Sequence, residues 1–99
     1  MTFKEVEQMV LKWAKDRNIL EGSSPTAQVI KLQEELNELK DAIDKSDITE
    51  AIDAVGDMLV VLTMIAYFLN TSLLECYIRA FVEIKDRKGK IVDGIFVKD

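Results

Sequence analysis

Apolar residues recur three and four positions apart along most of the chain, a spacing typical of amphipathic helices. The two clearest stripes are Phe3, Val6, Val10 and Trp13, and further along Val29, Leu32, Leu36, Leu39 and Ile43. We expect each stripe to form the buried face of one helix. Residues 58–69 are apolar on nearly every side. With only 12 residues, this segment is too short to span a bilayer, and it predicts a helix at the centre of a bundle or at a subunit interface.

Helix start signals divide the chain further. Ser24 before Pro25 is a strong N-terminal signal, because serine caps free amide hydrogens and proline needs no partner there. Asp47 and Ser72 each precede a glutamate by three residues, as capping residues often do. Together with the apolar stripes, these signals predict four helices over about residues 2–19, 25–44, 48–69 and 73–88.

The last fifteen residues follow a different pattern. Gly89 is a suitable stop for the fourth helix. Asp93-Gly94 between two short apolar pairs then predicts a tight β-hairpin over residues 90–98. An isolated hairpin is marginal in water, so we expect it to pack on the bundle or on a partner. The predicted fold is all-α, a single domain over residues 1–99 that resembles a four-helix bundle and ends in a short hairpin.

Charge is distributed unevenly along the chain. The net charge is −5, and nucleic-acid-binding domains normally carry a basic patch, so we expect no nucleic-acid partner. Residues 85–99 contain five basic and three acidic groups, a net +2, which leaves −7 on the remainder. An acidic body with a basic tail suits a site that binds a cation and then an anionic substrate. It equally fits a solubilised bundle with a loose tail.

The chain has no histidine and one cysteine, Cys76. No disulfide can form within the chain, and zinc-type sites built from cysteine and histidine are excluded, so any metal must be held by oxygen. The N-terminal residues MTFKEVEQM lack the apolar region of a signal peptide. We therefore expect a cytoplasmic protein without a membrane partner.

Two of the predicted helices each carry three carboxylates on one side. They are Glu34, Glu35 and Glu38 on the second helix, and Glu50, Asp53 and Asp57 on the third. At about 100° per residue, each trio falls within a sector of roughly 60–100°. Like charges at these spacings repel each other, so two facing sectors need a counter-charge. Mg²⁺, or alternatively Mn²⁺, supplies one and keeps coordination positions open for phosphates or an attacking water.

The same acids also fit a solvated charged face, and Glu34 taken alone favours that interpretation. Asp53 and Asp57, however, run directly into the most apolar segment of the chain. Gly56 between them is unfavourable in mid-helix by about 1 kcal/mol relative to alanine. Its presence indicates a close approach there by another helix or by a ligand.

The segment KLQEELNELKDAI (31–43), followed by EAIDAVGDMLVVL (50–62), resembles the MazG-like nucleotide pyrophosphohydrolases. The signature of that family is Glu-x-x-Glu on one helix and Glu-x-x-Asp on the next, within a bundle of helices. The ending EIKDRKGKIVDGIFVKD is similar to that of a small bacterial and phage-type branch. The resemblance covers most of residues 25–99 and is weak over the first helix. It implies Mg²⁺-dependent hydrolysis of nucleoside triphosphates to monophosphate and pyrophosphate, in a nucleotide-pool or house-cleaning role.

By position, Glu35 and Glu38 match the first pair of the signature and Asp57 matches its final aspartate. The remaining position falls on Ala54, where this sequence departs from the pattern. Asp53 is then the expected substitute, with Glu50 as a second candidate.

The resemblance also implies roles beyond metal binding. Glu34 or Glu38 would orient the attacking water or accept its proton. Basic residues near the end of the last helix contact the triphosphate in the family, and the matching region here contains Lys85, Arg87 and Lys88. Lys31 lies on the same side as Glu35 and could pair with it or with a phosphate. Lysines in a last helical turn are also favoured by the helix dipole alone.

Other interpretations remain open at the level of sequence. Loss of one acid at Ala54 would leave a nucleotide- or metal-binding regulatory module without turnover. A purely structural helical oligomer would need neither ligand. Trp13 and Tyr67 could stack on a base, although their positions in apolar stripes favour a core role. The apolar third helix predicts a homodimer or a dimer of dimers.

Overall fold

The computed structural model describes all 99 residues, which form five helices and a two-stranded antiparallel hairpin. The helices are α1 (Phe3–Asp16), α2 (Ile19–Gly22), α3 (Pro25–Asp44), α4 (Ile48–Phe68) and α5 (Leu73–Ile84), and the strands are β1 (Gly89–Val92) and β2 (Ile95–Lys98). The predicted all-α class with a short C-terminal hairpin is therefore confirmed. Below, residues 3–68 are called the body and residues 73–98 the C-terminal arm.

The predicted caps are present at all three helix starts. In each case the capping side chain accepts a hydrogen bond from the amide three residues on: Ser24 from Ala27, Asp47 from Glu50, and Ser72 from Glu75. Each bond satisfies an amide that has no partner within its helix. The starts of α3, α4 and α5 are thus fixed by local sequence.

Two helix ends fall earlier than predicted. The first helix ends at Asp16 rather than near residue 19, because Asn18 adopts a left-handed φ of 60°, which asparagine tolerates and which terminates a helix. The short α2 follows it. The last long helix ends at Ile84, and Gly89 begins β1 instead of stopping that helix. A Cβ at Gly89 would collide with the carbonyl oxygen of Val97 across the hairpin.

The predicted tight turn of the hairpin is present. Asp93 and Gly94 both have positive φ values, 51° and 80°, as a two-residue turn with the twist of antiparallel strands requires. Ile91 pairs with Phe96, and every strand residue is exposed. The hairpin therefore does not pack on the body of its own chain.

Small side chains dominate the core of the body. The buried apolar residues are Ala14, Ala42, Ala54, Val61, Met64 and Ala66, and no large side chain is completely buried. α3 and α4 make the most extensive contact in the molecule, and α1 packs on α4. Alanines allow such helices to approach closely, but they bury little apolar area per residue.

The predicted buried face of α3 is only partly covered in the single chain. Val29, Leu36 and Ile43 are exposed, whereas α3 buries Gln28 and Glu35, together with Ala42. Helical periodicity identifies which side of a helix is apolar, but it does not identify which element covers that side. In this chain α4 packs against a neighbouring side of α3. Leu32 and Leu39 of the stripe are half-buried, and the other three residues are uncovered.

The helix α4 is longer than the apolar segment singled out in the sequence. Its 21 residues are long and apolar enough to cross a membrane by length and composition. Core helices of soluble proteins have the same properties, and α4 contacts α3, α1 and α5. Its first half also carries Glu50, Asp53 and Asp57, and its second half contains most of its buried residues.

One buried carboxylate joins the arm to the body. Glu7 of α1 accepts hydrogen bonds from the Leu73 amide at 2.5 Å and the Leu74 amide at 3.3 Å. An anion is favourable there because the first amides of α5 are unsatisfied and the helix dipole is positive at that end. The rings of Phe3 and Tyr77 also meet, with centroids 6.4 Å apart. Beyond these first turns, no residue of the arm is buried.

Candidate metal centre

Three of the six predicted carboxylates converge where α3 and α4 pack together. One carboxylate oxygen from each of Glu35, Glu38 and Asp57 lies within 4.8 Å of the other two. Glu35 and Glu38 share a side of α3 because they are three residues apart. The packing of α4 against α3 places Asp57 opposite them.

Glu35 is the most unusual member of this carboxylate cluster. It is 5% exposed, and its Oε2 atom is buried without a hydrogen-bond partner. Its other oxygen lies 3.4 Å from the ammonium group of Lys31, which is also 3.4 Å from Glu34 Oε2. A buried carboxylate oxygen without a partner is destabilising, so this position is suited to a bound cation.

Two carboxyls of the cluster, those of Asp57 and Glu38, hold their protons more tightly than isolated carboxyls would. Burial, followed by the negative charges of Asp53 and Glu35, raises the pKa of Asp57. A hydrogen bond with Glu35, followed by its charge, raises the pKa of Glu38. Hydrogen bonds to Glu35 and then Glu34 raise the pKa of Lys31. Because all the donors are oxygen atoms, the set fits Mg²⁺ or Mn²⁺ rather than a soft metal.

The remaining predicted acids lie at the margin of the cluster. The charge of Asp53 acts on Asp57, and that of Glu50 acts on Glu38, but neither acid belongs to the converging trio. Glu34 is exposed and faces Lys31. In this arrangement the structure favours neither Asp53 nor Glu50 as a fourth ligand.

Ala54 lies apart from the acidic surface. It is 1% exposed and belongs to the core of the body, so an acid there would be buried away from solvent. Asp57, three residues further on, joins the carboxylate trio without an acidic partner at this position.

The predicted phosphate-binding cations divide into two groups. Lys31 lies at the cluster, as described above. Lys85 and Arg87 instead pair with Asp86 at 4.0 Å and Glu83 at 3.4 Å, within their own segment. Lys88 forms no ion pair. The single chain therefore does not bring these three arm residues to the carboxylates.

A groove of about 400 Å³ adjoins the cluster. Its lining includes Trp13, Gln28 and Met64 in addition to Lys31, Glu35 and Asp57. Gln28 is 8% exposed, and its amide nitrogen donates to Ser23 Oγ at 2.9 Å, while its Oε1 atom has no partner.

The aromatic residues are more exposed than the sequence indicated. Trp13 is partly exposed, and the Arg17 guanidinium lies 4.8 Å from its ring centre. Tyr67 is also partly exposed and lines a different groove. Sequence reasoning missed Gln28, because a single glutamine in an amphipathic helix gives no signal of burial.

Comparisons with known proteins give one informative match. Residues of this chain are 41% identical, over 63 positions, to an uncharacterized 18.2 kDa protein from the rep–hol intergenic region of Haemophilus phage HP1. The match covers 64% of this chain and 36% of the phage protein, so the chain spans about a third of that relative. No known family profile matches the sequence, and no solved structure matches it.

Proposed function

We propose that this protein is a MazG-like nucleoside triphosphate pyrophosphohydrolase that uses Mg²⁺ to release pyrophosphate. The observation that carries the proposal is the trio of Glu35, Glu38 and Asp57, with an unpartnered, buried oxygen on Glu35. In an acidic face that only contacts solvent, no carboxylate oxygen would be both buried and without a partner. The resemblance of residues 31–43 and 50–62 to the family supplies the reaction.

Within this proposal, Glu35, Glu38 and Asp57 hold the metal, and Asp53 or Glu50 completes the ligand set. Bound Mg²⁺ neutralises phosphate charge and lowers the pKa of an attacking water. Glu38, with its raised pKa, or Glu34 accepts the proton from that water. Lys31 neutralises a phosphate oxygen from the same side of α3.

The adjoining groove offers a site for the base of the nucleotide. The partly exposed ring of Trp13 provides a stacking surface, and the free Oε1 atom of Gln28 can accept a hydrogen bond from a ring N–H or an exocyclic amine. Binding would satisfy a buried acceptor that otherwise lacks a partner. We therefore assign the metal and the base to two adjoining parts of one cleft.

The proposed active species is a homodimer or a dimer of dimers with α4 near the interface, in a bundle of the MazG type. The support is the exposed apolar surface on α3 and α4. A cytoplasmic location accords with a nucleotide substrate.

A substrate screen tests the catalytic claim. The protein is incubated with Mg²⁺ and each common ribo- and deoxyribonucleoside triphosphate, and pyrophosphate is measured. We expect release from at least one nucleotide and a loss of roughly a hundredfold or more in Asp57→Asn, equivalent to about 2.7 kcal/mol of transition-state stabilisation.

The matched control for this screen is Asp41→Asn, which removes an exposed α3 carboxylate outside the cluster. Its activity should equal that of the parent protein. No pyrophosphate from any nucleotide at high protein concentration would refute the proposal. Tight nucleotide binding by calorimetry in that case would favour the regulatory module, whose supporting observation is that Lys31 is the only cation at the cluster.

A further inference from the structure

The C-terminal arm has an apolar surface that nothing in its own chain covers. On α5, the exposed residues Tyr77, Ile78, Phe81 and Val82 share one side. Arg79 and Glu83 lie on the opposite side, about 160° from Phe81 by helical geometry. A helix with an apolar side of this kind normally packs that side against another surface.

The α3–α4 pair has a second uncovered apolar surface. Its members are Val29, Leu36 and Ile43 of α3, and Ile48, Ile52 and Val55 of α4, all of them exposed. Around α4, Ile52 lies about 140° from Asp57, so this surface is on a different side from the carboxylate cluster. A protein bound there would leave the proposed cleft open.

We propose that the apolar side of the arm docks on the α3–α4 apolar surface of a second copy of this chain. The exchange is reciprocal about a two-fold axis, which gives two identical contacts in each dimer. This inference rests on the dimer of the proposed function and is independent of the proposed hydrolysis.

The accessible surface of the chain exceeds that of a compact monomer of the same mass. It measures 7663 Å², whereas a folded monomer of this mass exposes about 5,700 Å². The radius of gyration is 15.6 Å, compared with about 13 Å for a compact chain of this length. Burying the surplus of roughly 1,900 Å² on each copy gives an interface in the range of obligate homodimers.

Charge complementarity favours a second copy over other occupants. Residues 85–99 carry a net +2 and the remainder carries −7. Lys85 lies one turn beyond Phe81 on the same side of α5, so it would approach the acidic body of the other copy. Opposite charges on the two docking partners favour association.

Substitutions on each surface test the proposal by analytical ultracentrifugation. We expect the parent chain to be dimeric, and Phe81→Asp and Ile52→Asp each to raise the dimer Kd by about a hundredfold or more. Arg79→Asp is the matched control, because it places the same side chain on the opposite side of α5. Its Kd should stay within about threefold, since exposed ion pairs contribute little.

Mixing the two variants distinguishes arm exchange from pairing of two α3–α4 surfaces. In a mixture of Phe81→Asp with Ile52→Asp, the intact arm of one chain meets the intact surface of the other. One of the two contacts is restored, so heterodimers should form where neither variant dimerises alone. A normal dimer of Phe81→Asp would overturn the proposal and leave the dimer itself standing. A monomeric parent chain would overturn both, whether or not it binds vesicles of anionic phospholipid.

A measurement on the parent chain covers the case in which a variant fails to fold. Isotopically heavy and light chains are mixed, treated with a zero-length reagent that joins lysine amines to carboxylates, and digested. Lys85 lies one turn beyond Phe81 and so shares the apolar side of the arm. Heavy–light products that join Lys85 to acidic peptides of α3 or α4 support the exchange. Products confined to one chain would overturn it.

Discussion

The body and the C-terminal arm differ in what stabilises them. The body buries alanines and two carboxyl side chains between helices that touch closely, whereas the arm buries nothing and is attached through Glu7 and its first turns. The carboxylate cluster lies in the body, and all five basic groups of residues 85–99 lie in the arm. Under the two proposals above, catalysis uses the carboxylate cluster of the body, and association uses the arm together with a different surface of the body, so each can be altered separately.

Among the effects that compare the two regions directly, the first concerns metal binding by the carboxylate cluster of the body. Because the pKa values of Asp57 and Glu38 are raised, protons compete with a metal there. Mg²⁺ affinity should fall by about tenfold or more between about pH 7.5 and about pH 5, as measured by calorimetry. The Kd for the association of two chains should change much less over that range.

The same shifts predict the stability of the metal-free protein. A folded-state pKa above the ordinary value means that the folded chain binds protons more tightly than the unfolded chain. The tighter proton binding by Asp57 and Glu38 stabilises the folded chain at low pH. This stabilisation is lost as pH rises from about 4 through the raised pKa values. The difference in Tm between Asp57→Asn and the parent should therefore increase with pH without Mg²⁺. A constant difference would contradict the shift.

The next prediction concerns the contact between the body and the arm. Glu7→Gln removes the charge that caps α5 and should lower the free energy of unfolding by about 1–3 kcal/mol, measured by urea denaturation. Glu21→Gln removes an exposed acid elsewhere in the body and serves as the control. If the two variants are equally stable, the arm is not held to the body through this carboxylate.

A smaller effect separates binding from stability within the body. Gln28→Leu removes a buried acceptor that has no partner, and it also removes the hydrogen bond that Gln28 donates to Ser23 Oγ. These two effects have opposite signs, so the free energy of unfolding should change by less than about 1 kcal/mol. The same change should raise KM for the preferred nucleotide by about three- to tenfold if Gln28 contacts the base. Gln33→Leu on the exposed side of α3 is the control. An unchanged KM would show that Gln28 does not contact the base of the nucleotide.

The smallest expected effect on the body comes from a change in the hairpin of the arm. Gly89→Ala places a methyl group against the Val97 carbonyl and should open the hairpin. Hydrogen–deuterium exchange should show faster exchange over residues 89–98. The helices of the body should keep their protection in the metal-free monomer. Faster exchange throughout α3 at monomer concentrations would show that the two regions are not independent.

Local features of the fold were predictable, and pairings between elements were less so. Ser24, Asp47, Ser72 and the Asp93-Gly94 turn act within a few residues, so sequence spacing was sufficient to identify them. Helical sectors placed Glu35 and Glu38 on one side of α3, but the packing of α4 decides that Asp57 is the acid that meets them. The burial of α3 was not predictable, because the chain uses its Gln28–Glu35 side against α4 and leaves Leu36 exposed.

The alanine core of the body has a consequence for the life of the chain in a cell. Because no large side chain is completely buried, a lone copy gains little apolar stabilisation from its own fold. If a second copy supplies the rest, folding and association are one equilibrium, and stability depends on protein concentration. A newly synthesised chain would then be protease-sensitive until it meets another, and its abundance would rise more steeply than its rate of synthesis.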